Sequence, residues 1–356
     1  MIAIAVLLGV ITFLFVKQWL QRRKLPPGDR GIIASNGPLW LEQRRFALHT
    51  LRNFGLGKNI IEERIMYEFE ITTALFKTKL HVFSCEELEG RFDEGGVCIE
   101  PENMLNLMVA NIMNRMLFTD RFDKKDEERF FALKAKVDEM LKNFSIFNML
   151  IDEWNMNLPF VKQRTEYILG PVNDVIDFMR DQIEKRKKDI AAGVHVIEGE
   201  GEDYVDAFLV QMKKEENSNN SSFTYELVSV GIYSEEWLLM SLLDLWTAGQ
   251  ETTTVTLKWA FSFLLLHPQV KSRLEDELLS ITKGQRPLSI TDRLNTPYYN
   301  AVLNFNPDRY FTSDRIEQMV VPFGLGKRAC PGESLAQAEL YLVGEHTVLM
   351  PLILIL

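Results

Sequence analysis

The sequence predicts a mainly α fold that follows an N-terminal transmembrane helix. Residues 2–16 form an apolar run whose only polar side chain is Thr12. Farther along, apolar residues recur with helical spacing in segment after segment, and the alternation typical of a half-buried strand is scarce. The longest such segment, residues 235–267, is apolar on nearly every side, which is typical of a helix that crosses the centre of a domain.

The overall charge disfavours one class of partner. The 356 residues carry a formal net charge of −10, whereas the phosphates of nucleic acid require a basic surface. The cysteines are Cys85, Cys98 and Cys330. So few thiols, without a C-x-x-C pair, indicate neither a disulfide framework nor a zinc site, and they predict a reducing compartment.

Residues 1–20 are predicted to be a membrane anchor. The basic residues between Lys17 and Lys24 follow the apolar run, whereas a cleaved signal peptide carries its positive charge before the run. The positive-inside rule then places the rest of the chain on the cytosolic side. A buried helix of a soluble protein is the alternative. The prolines of "LPPG" end the helix, and we interpret residues 21–38 as a basic, proline-containing hinge and a shortened N-terminal region.

The main domain, residues 39–343, is predicted to contain several amphipathic helices before the long segment. Each has apolar residues at helical spacing, and the second has a proline near its start, where helices tolerate it. The helices are predicted over residues 39–54, 101–118, 126–142, 172–190 and 203–216, with a polar loop over residues 194–202.

The long segment contains a local conflict at "AGQETTT", residues 248–254. Glycine inside a helix costs about 1 kcal/mol relative to alanine, and a buried carboxylate such as Glu251 is costly unless it is paired or faces water. Conflicts of this kind concentrate at functional sites. Glu251 beside the hydroxyl of Thr252, in a locally opened helix, is therefore a candidate proton relay. A kinked helix with a satisfied glutamate is the alternative.

One thiol lies in a glycine-lined turn, "VPFGLGKRACPGES", residues 321–334. Gly324 and Gly326 allow a tight turn and a close approach to a flat ligand. The residues after Cys330 predict a helix, and a helix N-terminus favours a thiolate. Arg328 is placed to pair with a carboxylate of the ligand. Cys330 is thus a candidate metal ligand, and an inert cysteine in a chance glycine-rich loop is the alternative.

The stretch "FGLGKRACPG" resembles the haem-binding signature of cytochrome P-450, FxxGxRxCxG, at every fixed position. The matching residues are Phe323, Gly326, Arg328, Cys330 and Gly332. The resemblance implies that these residues bind haem b and that the Cys330 thiolate is the ligand of its iron.

Two further stretches are similar to helices of the same family. "AGQETT" resembles the central helix that crosses the distal haem face, which implies that Ala248 and Gly249 contact haem and that Glu251 and Thr252 help to deliver protons. "WLEQR" resembles the WxxxR of an earlier helix, which implies that Trp40 and Arg44 contact a haem propionate.

The resemblance also implies partners and a location. "FNPDRY", residues 305–310, resembles the FxPxRF segment upstream of the haem loop, and the anchor with "LPPG" is similar to the microsomal members. These members lie in the endoplasmic reticulum membrane with a cytosol-facing domain, and they receive electrons from NADPH–cytochrome reductase and in some cases cytochrome b5. "DYVDAFLVQM" looks most like the animal members that oxidise drugs, steroids and fatty acids, which implies a lipophilic small-molecule substrate.

The chain departs from the family pattern in three places. The hinge near Gly28 runs directly into the segment before "WLEQR", and the junction at residues 304–305 omits the family's Glu-x-x-Arg segment and the strands after it. The only Glu-x-x-Arg of this chain is Glu42 with Arg45, in the wrong helix. Arg309 would therefore lack its partners, and breaking a buried ion pair costs about 3–5 kcal/mol. Residues 344–356 are an atypical apolar tail.

These features predict a family fold with a reduced β portion and leave the function open between classes. The first is a membrane-anchored haem-thiolate monooxygenase that inserts one oxygen atom of O2 into its substrate. The second is an inactive truncated or alternatively spliced product that cannot hold haem. A third is a haem-binding isomerase or a peroxide-using variant, which needs no reductase.

Overall fold

The part of the chain described by the computed structural model contains α-helices and short 3₁₀ turns and no β-strand. This part comprises residues 31–33, 35–54, 59–80, 101–143, 145, 155, 158–217, 234–302 and 321–349. The helices are α1 (Gly37–Asn53), α2 (Asn59–Leu80), α3 (Pro101–Phe118), α4 (Glu127–Asn143), α5 (Pro159–Leu169), α6 (Asn173–Ala191), α7 (Tyr204–Asn217), α8 (Glu235–Leu266), α9 (Pro268–Thr282), α10 (Pro297–Val302) and α11 (Glu333–Leu349).

The predicted helices are confirmed with small shifts at their ends. Helix α3 has the predicted bounds, α4, α6 and α7 begin one residue later than predicted, and α1 begins two residues earlier, at Gly37. Helices α2, α5, α9 and α10 were not predicted. In α2, for example, the apolar positions do not form an uninterrupted stripe, because the buried side of the helix includes the charged residue Glu68.

Helix α8 is the central element, and it packs against α3, α6, α9 and α11. It begins at the N-cap Ser234, whose hydroxyl accepts a hydrogen bond from Trp237 N, and it ends at Leu266 before Pro268. Its 32 residues are helical throughout, so the expected opening of the helix at residues 248–254 is wrong. The hydroxyls of Thr252 and Thr256 each donate a 2.8 Å hydrogen bond to the carbonyl one turn earlier, so these side chains are satisfied without a break in the helix.

The core around α8 is rich in aromatic side chains. Phe178 of α6 stacks on Phe122 at 5.6 Å between ring centroids and lies 6.3 Å from Trp246 of α8. The indole of Trp246 donates a hydrogen bond of 2.9 Å to Asn114 Oδ1 of α3. These contacts join α3, α6 and α8 on one side of the core.

The C-terminal part of α8 differs from the prediction of an apolar helix buried all round. Val255, Trp259 and Leu266 are exposed, Trp259 to 64% of its surface. Within the described residues, no helix covers this stripe.

Several predicted segments fall outside the described residues. They are the anchor (1–20), the hinge up to residue 30, the junction at 304–305 and residues 350–356. No helix among the described residues is both long and apolar enough to cross a membrane. Helix α11 continues to Leu349 and so runs through the boundary predicted between residues 343 and 344.

Candidate functional site

Cys330 is presented at the end of a tight loop that leads into α11. Its backbone N–H donates a 2.8 Å hydrogen bond to the carbonyl of Phe323, which closes the loop. Gly324 and Gly326 have φ angles of 72° and 81°, a conformation that side chains with a Cβ rarely adopt. A Cβ at either glycine would meet no atom within 4 Å, so the backbone conformation of the turn, rather than crowding, requires glycine. The thiol itself is free and exposed.

Helix α1 contacts this loop through Trp40 and Arg44, and the loop contacts α1 in turn through Arg328. The Arg328 guanidinium lies 3.8 Å from the centroid of the Trp40 ring and donates to the carbonyl of Ser35 at 2.7 Å. Arg44 donates a hydrogen bond to the carbonyl of Ala329, the residue before the cysteine. Trp40 Nε1 donates to the carbonyl of Ile32 at 3.0 Å. The loop, α1 and the residues before α1 therefore form one hydrogen-bonded unit.

Two cations are crowded beside the thiol. Burial lowers the pKa of Arg44, the nearby charge of Arg328 lowers it further, and Cys330 acts in the opposite direction. Two neighbouring guanidinium groups repel each other, and a negative charge close to both would relieve that repulsion. The site therefore favours an anionic ligand group at this end.

A cavity of about 810 Å³ separates the cysteine loop from α8. It falls within the usual range of ligand pockets, roughly 300–1,000 Å³, and is mostly apolar with a few polar groups. Among the predicted site residues it is lined by Ala248, Gly249, Thr252, Phe323, Arg328, Cys330 and Gly332. Trp40, Arg44, Gly326 and Glu251 do not line it. The structure thus brings the two main motifs to opposite walls of one cavity.

The predicted relay residues point in different directions. Thr252 lines the cavity, and its hydroxyl donates a 2.8 Å hydrogen bond to the carbonyl of Ala248. The Glu251 carboxylate instead lies 2.7 Å from Lys134 Nζ of α4. Lys134 also binds Asp138, and the two carboxylates raise the pKa of Lys134 despite the opposing effect of burial. Glu251 is thus an ion-paired residue on the side of α8 that faces α4.

Gly249 lines the cavity, and it is also a packing position. A Cβ at Gly249 would lie 2.6 Å from Met113 Sδ of α3. The absence of a side chain lets α3 and α8 approach closely, which is a sufficient physical reason for glycine at this place in the helix.

Sequence reasoning missed Glu339 of α11 and Thr253 of α8, which also line the cavity. The Thr253 hydroxyl donates a 3.1 Å hydrogen bond to Glu339 Oε2. Burial raises the pKa of Glu339 to about 8. The available signal was a carboxylate at position 339 that falls between Ala338 and Leu342 on the apolar side of the predicted helix, and the prediction did not use it.

Comparison with known proteins agrees with this arrangement. The family model described as "Cytochrome P450" matches residues 9–304 and 303–349. The chain belongs to the cytochrome P450 family. Members of this family are haem-dependent monooxygenases and therefore oxidoreductases. The two matched segments of this P450 meet at residues 303–304, next to the predicted junction.

Individual relatives of this P450 come from several animals. It is 31% identical to probable cytochrome P450 cyp-35D1 of Caenorhabditis elegans, in an alignment that covers 92% of this chain and 74% of the relative. It is 29% identical to cytochrome P450 2J2 of Homo sapiens and 28% identical to cytochrome P450 2J3 of Rattus norvegicus, each over 88% of this chain and 67% of the relative.

The residues around the cavity of this P450 fit a haem. Cys330 offers a thiol as iron ligand, Arg328 in the cavity wall suits an anionic propionate, and the apolar walls suit a macrocycle. Arg44 lies outside the lining and adds positive charge beside Arg328. The glycine turn leaves the thiol uncovered. These are properties of the described side chains, and they agree with the family assignment.

Proposed function

We propose that this P450 is a haem-thiolate monooxygenase that inserts one oxygen atom of O2 into a lipophilic small molecule. The observation that carries the proposal is the exposed Cys330 thiol, which faces the threonine-rich stretch of α8 across a large apolar cavity. The family supplies the reaction class, and the cavity supplies a site in which both the cofactor and an apolar substrate portion would avoid water.

The chain's own residues would hold haem b as follows. The Cys330 sulfur would bind the iron, and Arg44 and Arg328 would neutralise the propionates. Phe323, Gly326 and Gly332 would shape the loop, while Ala248 and Gly249 would form the opposite wall. When bound, the haem supplies the O2 chemistry, to which a thiolate ligand contributes electron density.

Proton supply at the cavity would fall first to Thr252, whose side chain lines it. Glu251 would take part if its carboxylate left Lys134, and that exchange would require a water-filled path along the surface of α8. The proposed roles of Thr252 and Glu251 therefore differ in kind. Thr252 would orient a hydrogen bond inside the cavity, and Glu251 would bring protons to it from the solvent side.

We extend the proposal to the setting of the enzyme. The apolar N-terminus followed by basic residues favours an anchor in the endoplasmic reticulum membrane with the domain on the cytosolic side. Electrons would come from NADPH–cytochrome reductase, with cytochrome b5 as a second donor. The exposed Arg45 of α1 and Lys327 of the cysteine loop provide positive charge to which an acidic partner would dock.

The test is the spectrum of the reduced protein under carbon monoxide. The full chain is reconstituted with hemin, and a red-shifted Soret band is expected because thiolate ligation produces it. Cys330→Ser should abolish this band, whereas Cys98→Ser, a matched change at another thiol, should retain it. A wild-type protein that binds hemin without the shifted band would refute the ligand assignment.

A second candidate is an inactive product that cannot retain haem. Two observations favour it, the absence of the Glu-x-x-Arg segment and the division of the family match at residues 303–304. Sequencing of the transcript across codons 304–305 would establish whether the junction is expressed. If it is, and the expressed chain takes up no hemin in a titration, this candidate replaces the first.

A further inference from the structure

Arg293 is a cation of the cavity wall without an acidic partner. It belongs to the 3₁₀ turn Ile290–Asn295, and its half-buried side chain lines the same cavity as Cys330. In the part of the chain that the structure describes, its hydrogen bonds go to amide oxygens and no carboxylate pairs with it. A guanidinium group that is partly removed from water without a counter-charge favours an anion that enters the cavity.

Two amide side chains fix the direction of this guanidinium group. Arg293 Nε donates to Asn300 Oδ1 of α10 at 3.2 Å, and Nη1 donates to Gln337 Oε1 of α11 at 2.8 Å. Asn300 Nδ2 donates in turn to the carbonyl of Arg293 at 2.7 Å, and Gln337 Nε2 donates to the exposed Glu333 at 3.1 Å. Both acceptors are neutral, so they position the positive charge without neutralising it.

The acids around this turn are engaged with other groups. Asp292, the preceding residue, accepts from Arg286 at 2.6 Å and 2.9 Å. Glu62 accepts from the hydroxyl of Ser289 at 3.0 Å. Glu277 accepts from two backbone N–H groups in the first turn of α10, at 2.9 Å and 2.8 Å. Each of these carboxylates has its own donors, and none of them neutralises Arg293.

The other groups of the cavity wall leave Arg293 as its available cation. Arg328 donates to backbone carbonyls that precede α1. Glu339 carries the one carboxyl group of the described lining, and burial raises its pKa to about 8, so its neutral form prevails at pH 7. Much of the remaining wall is apolar, with contributions from Leu51, Met113, Leu245, Leu335 and Leu340. A ligand with one carboxylate and an apolar body complements this cavity.

We propose that Arg293, oriented by Asn300 and Gln337, is a carboxylate-binding residue of this cavity. Nη1 and Nη2 both retain N–H groups, and two parallel hydrogen bonds from a guanidinium fork match the geometry of a carboxylate. The carboxylate belongs either to a haem propionate or to an amphipathic substrate. That choice rests on the proposed monooxygenase function, whereas the binding of a carboxylate to Arg293 does not.

Calorimetric titration of the haem-free full chain with dodecanoate at pH 7 tests a substrate-like carboxylate. Arg293→Gln is expected to bind dodecanoate at least about tenfold more weakly than the wild type, because a hydrogen bond to a charged group contributes that much. Dodecan-1-ol, which has the same chain without the carboxylate, should bind both proteins equally. Arg180→Gln, a matched change at an exposed arginine, should bind dodecanoate as the wild type does.

A second variant keeps the test informative if Arg293→Gln does not fold. Gln337→Glu leaves Arg293 in place and puts a carboxylate where the amide oxygen now accepts from Nη1. This internal counter-charge would compete with the carboxylate of a ligand, so affinity should again fall at least about tenfold. A folded Gln337→Glu protein with wild-type affinity for both dodecanoate and hemin would overturn the proposal.

Hemin and its dimethyl ester distinguish a haem propionate from a substrate carboxylate. If Arg293 binds a propionate, Arg293→Gln should weaken hemin binding in an absorbance titration and leave binding of the dimethyl ester unchanged. If Arg293 binds the substrate, only dodecanoate binding should weaken. Equal affinities of the wild type and Arg293→Gln for both dodecanoate and hemin would overturn the proposal. If the wild type binds no hemin, the proposed function fails, and the dodecanoate titration still decides the role of Arg293.

Discussion

Glu339→Gln should change how the stability of the fold depends on pH. The pKa of Glu339 rises from 4.5 to about 8 in the folded chain because burial disfavours its charged form. Between these values the folded state holds a proton that the unfolded state has released. Stability therefore falls as pH rises through this window, by about 1.4 kcal/mol per pH unit at most. Glutamine at this position has no such dependence.

Urea denaturation at pH 6 and pH 8, both above the isoelectric point, measures this pH dependence of the free energy of unfolding. The wild type is expected to lose about 2 kcal/mol more than Glu339→Gln between these pH values, because pH 8 lies at the folded pKa and the slope weakens there. Glu333→Gln should follow the wild type. Parallel pH profiles for the wild type and Glu339→Gln would refute the reasoning, since they would mean that Glu339 is ionised in the folded state.

Three further predictions test interactions that hold the fold together. Arg186→Met should lower the free energy of unfolding by about 3–5 kcal/mol, because two fully buried aspartates lose their cation. Arg180→Met removes only the exposed ion pair with Asp177 and should cost less than about 1 kcal/mol. If Arg186→Met and Arg180→Met lowered the free energy of unfolding in urea equally, this reasoning would be contradicted. Gly249→Ala should cost about 1–3 kcal/mol through overpacking against Met113. The double variant Gly249→Ala/Met113→Ala should lose less free energy of unfolding than the sum of the two single variants. If the two losses added strictly, contact with Met113 would be excluded as the cause. Ser234→Ala should lower the stability of the fold by about 1 kcal/mol, because α8 loses its N-cap hydrogen bond. An unchanged midpoint of thermal denaturation would refute a stabilising role for this cap.

Helices with clear start and stop signals could be predicted from the sequence almost to the residue. Pro101 marks the start of α3, and Pro268 marks the end of α8. Helix α2 could not be predicted in this way. Its buried Glu68 is balanced by Arg115 and Arg121, which are about fifty residues away in the chain. A local pattern does not contain a partner at that distance.

The site was predictable to the extent that its chemistry is local. The glycine turn and Cys330 lie within one short stretch, so their joint geometry follows from that stretch. The direction of Glu251 depends on Lys134, more than a hundred residues earlier. The raised pKa of Glu339 depends on α11 packing against α8, where no cation among the described residues pairs with it. Both are properties of tertiary packing, and the residue types alone do not determine them.

The central claim is that the sulfur of Cys330 would bind the iron of a haem held in this cavity. X-ray absorption at the iron edge of the hemin-reconstituted full chain tests it most directly, because the first coordination shell distinguishes sulfur from nitrogen and oxygen. We expect one sulfur scatterer in the wild type and none in Cys330→Ser. A first shell that contains only nitrogen and oxygen in the wild type would contradict it.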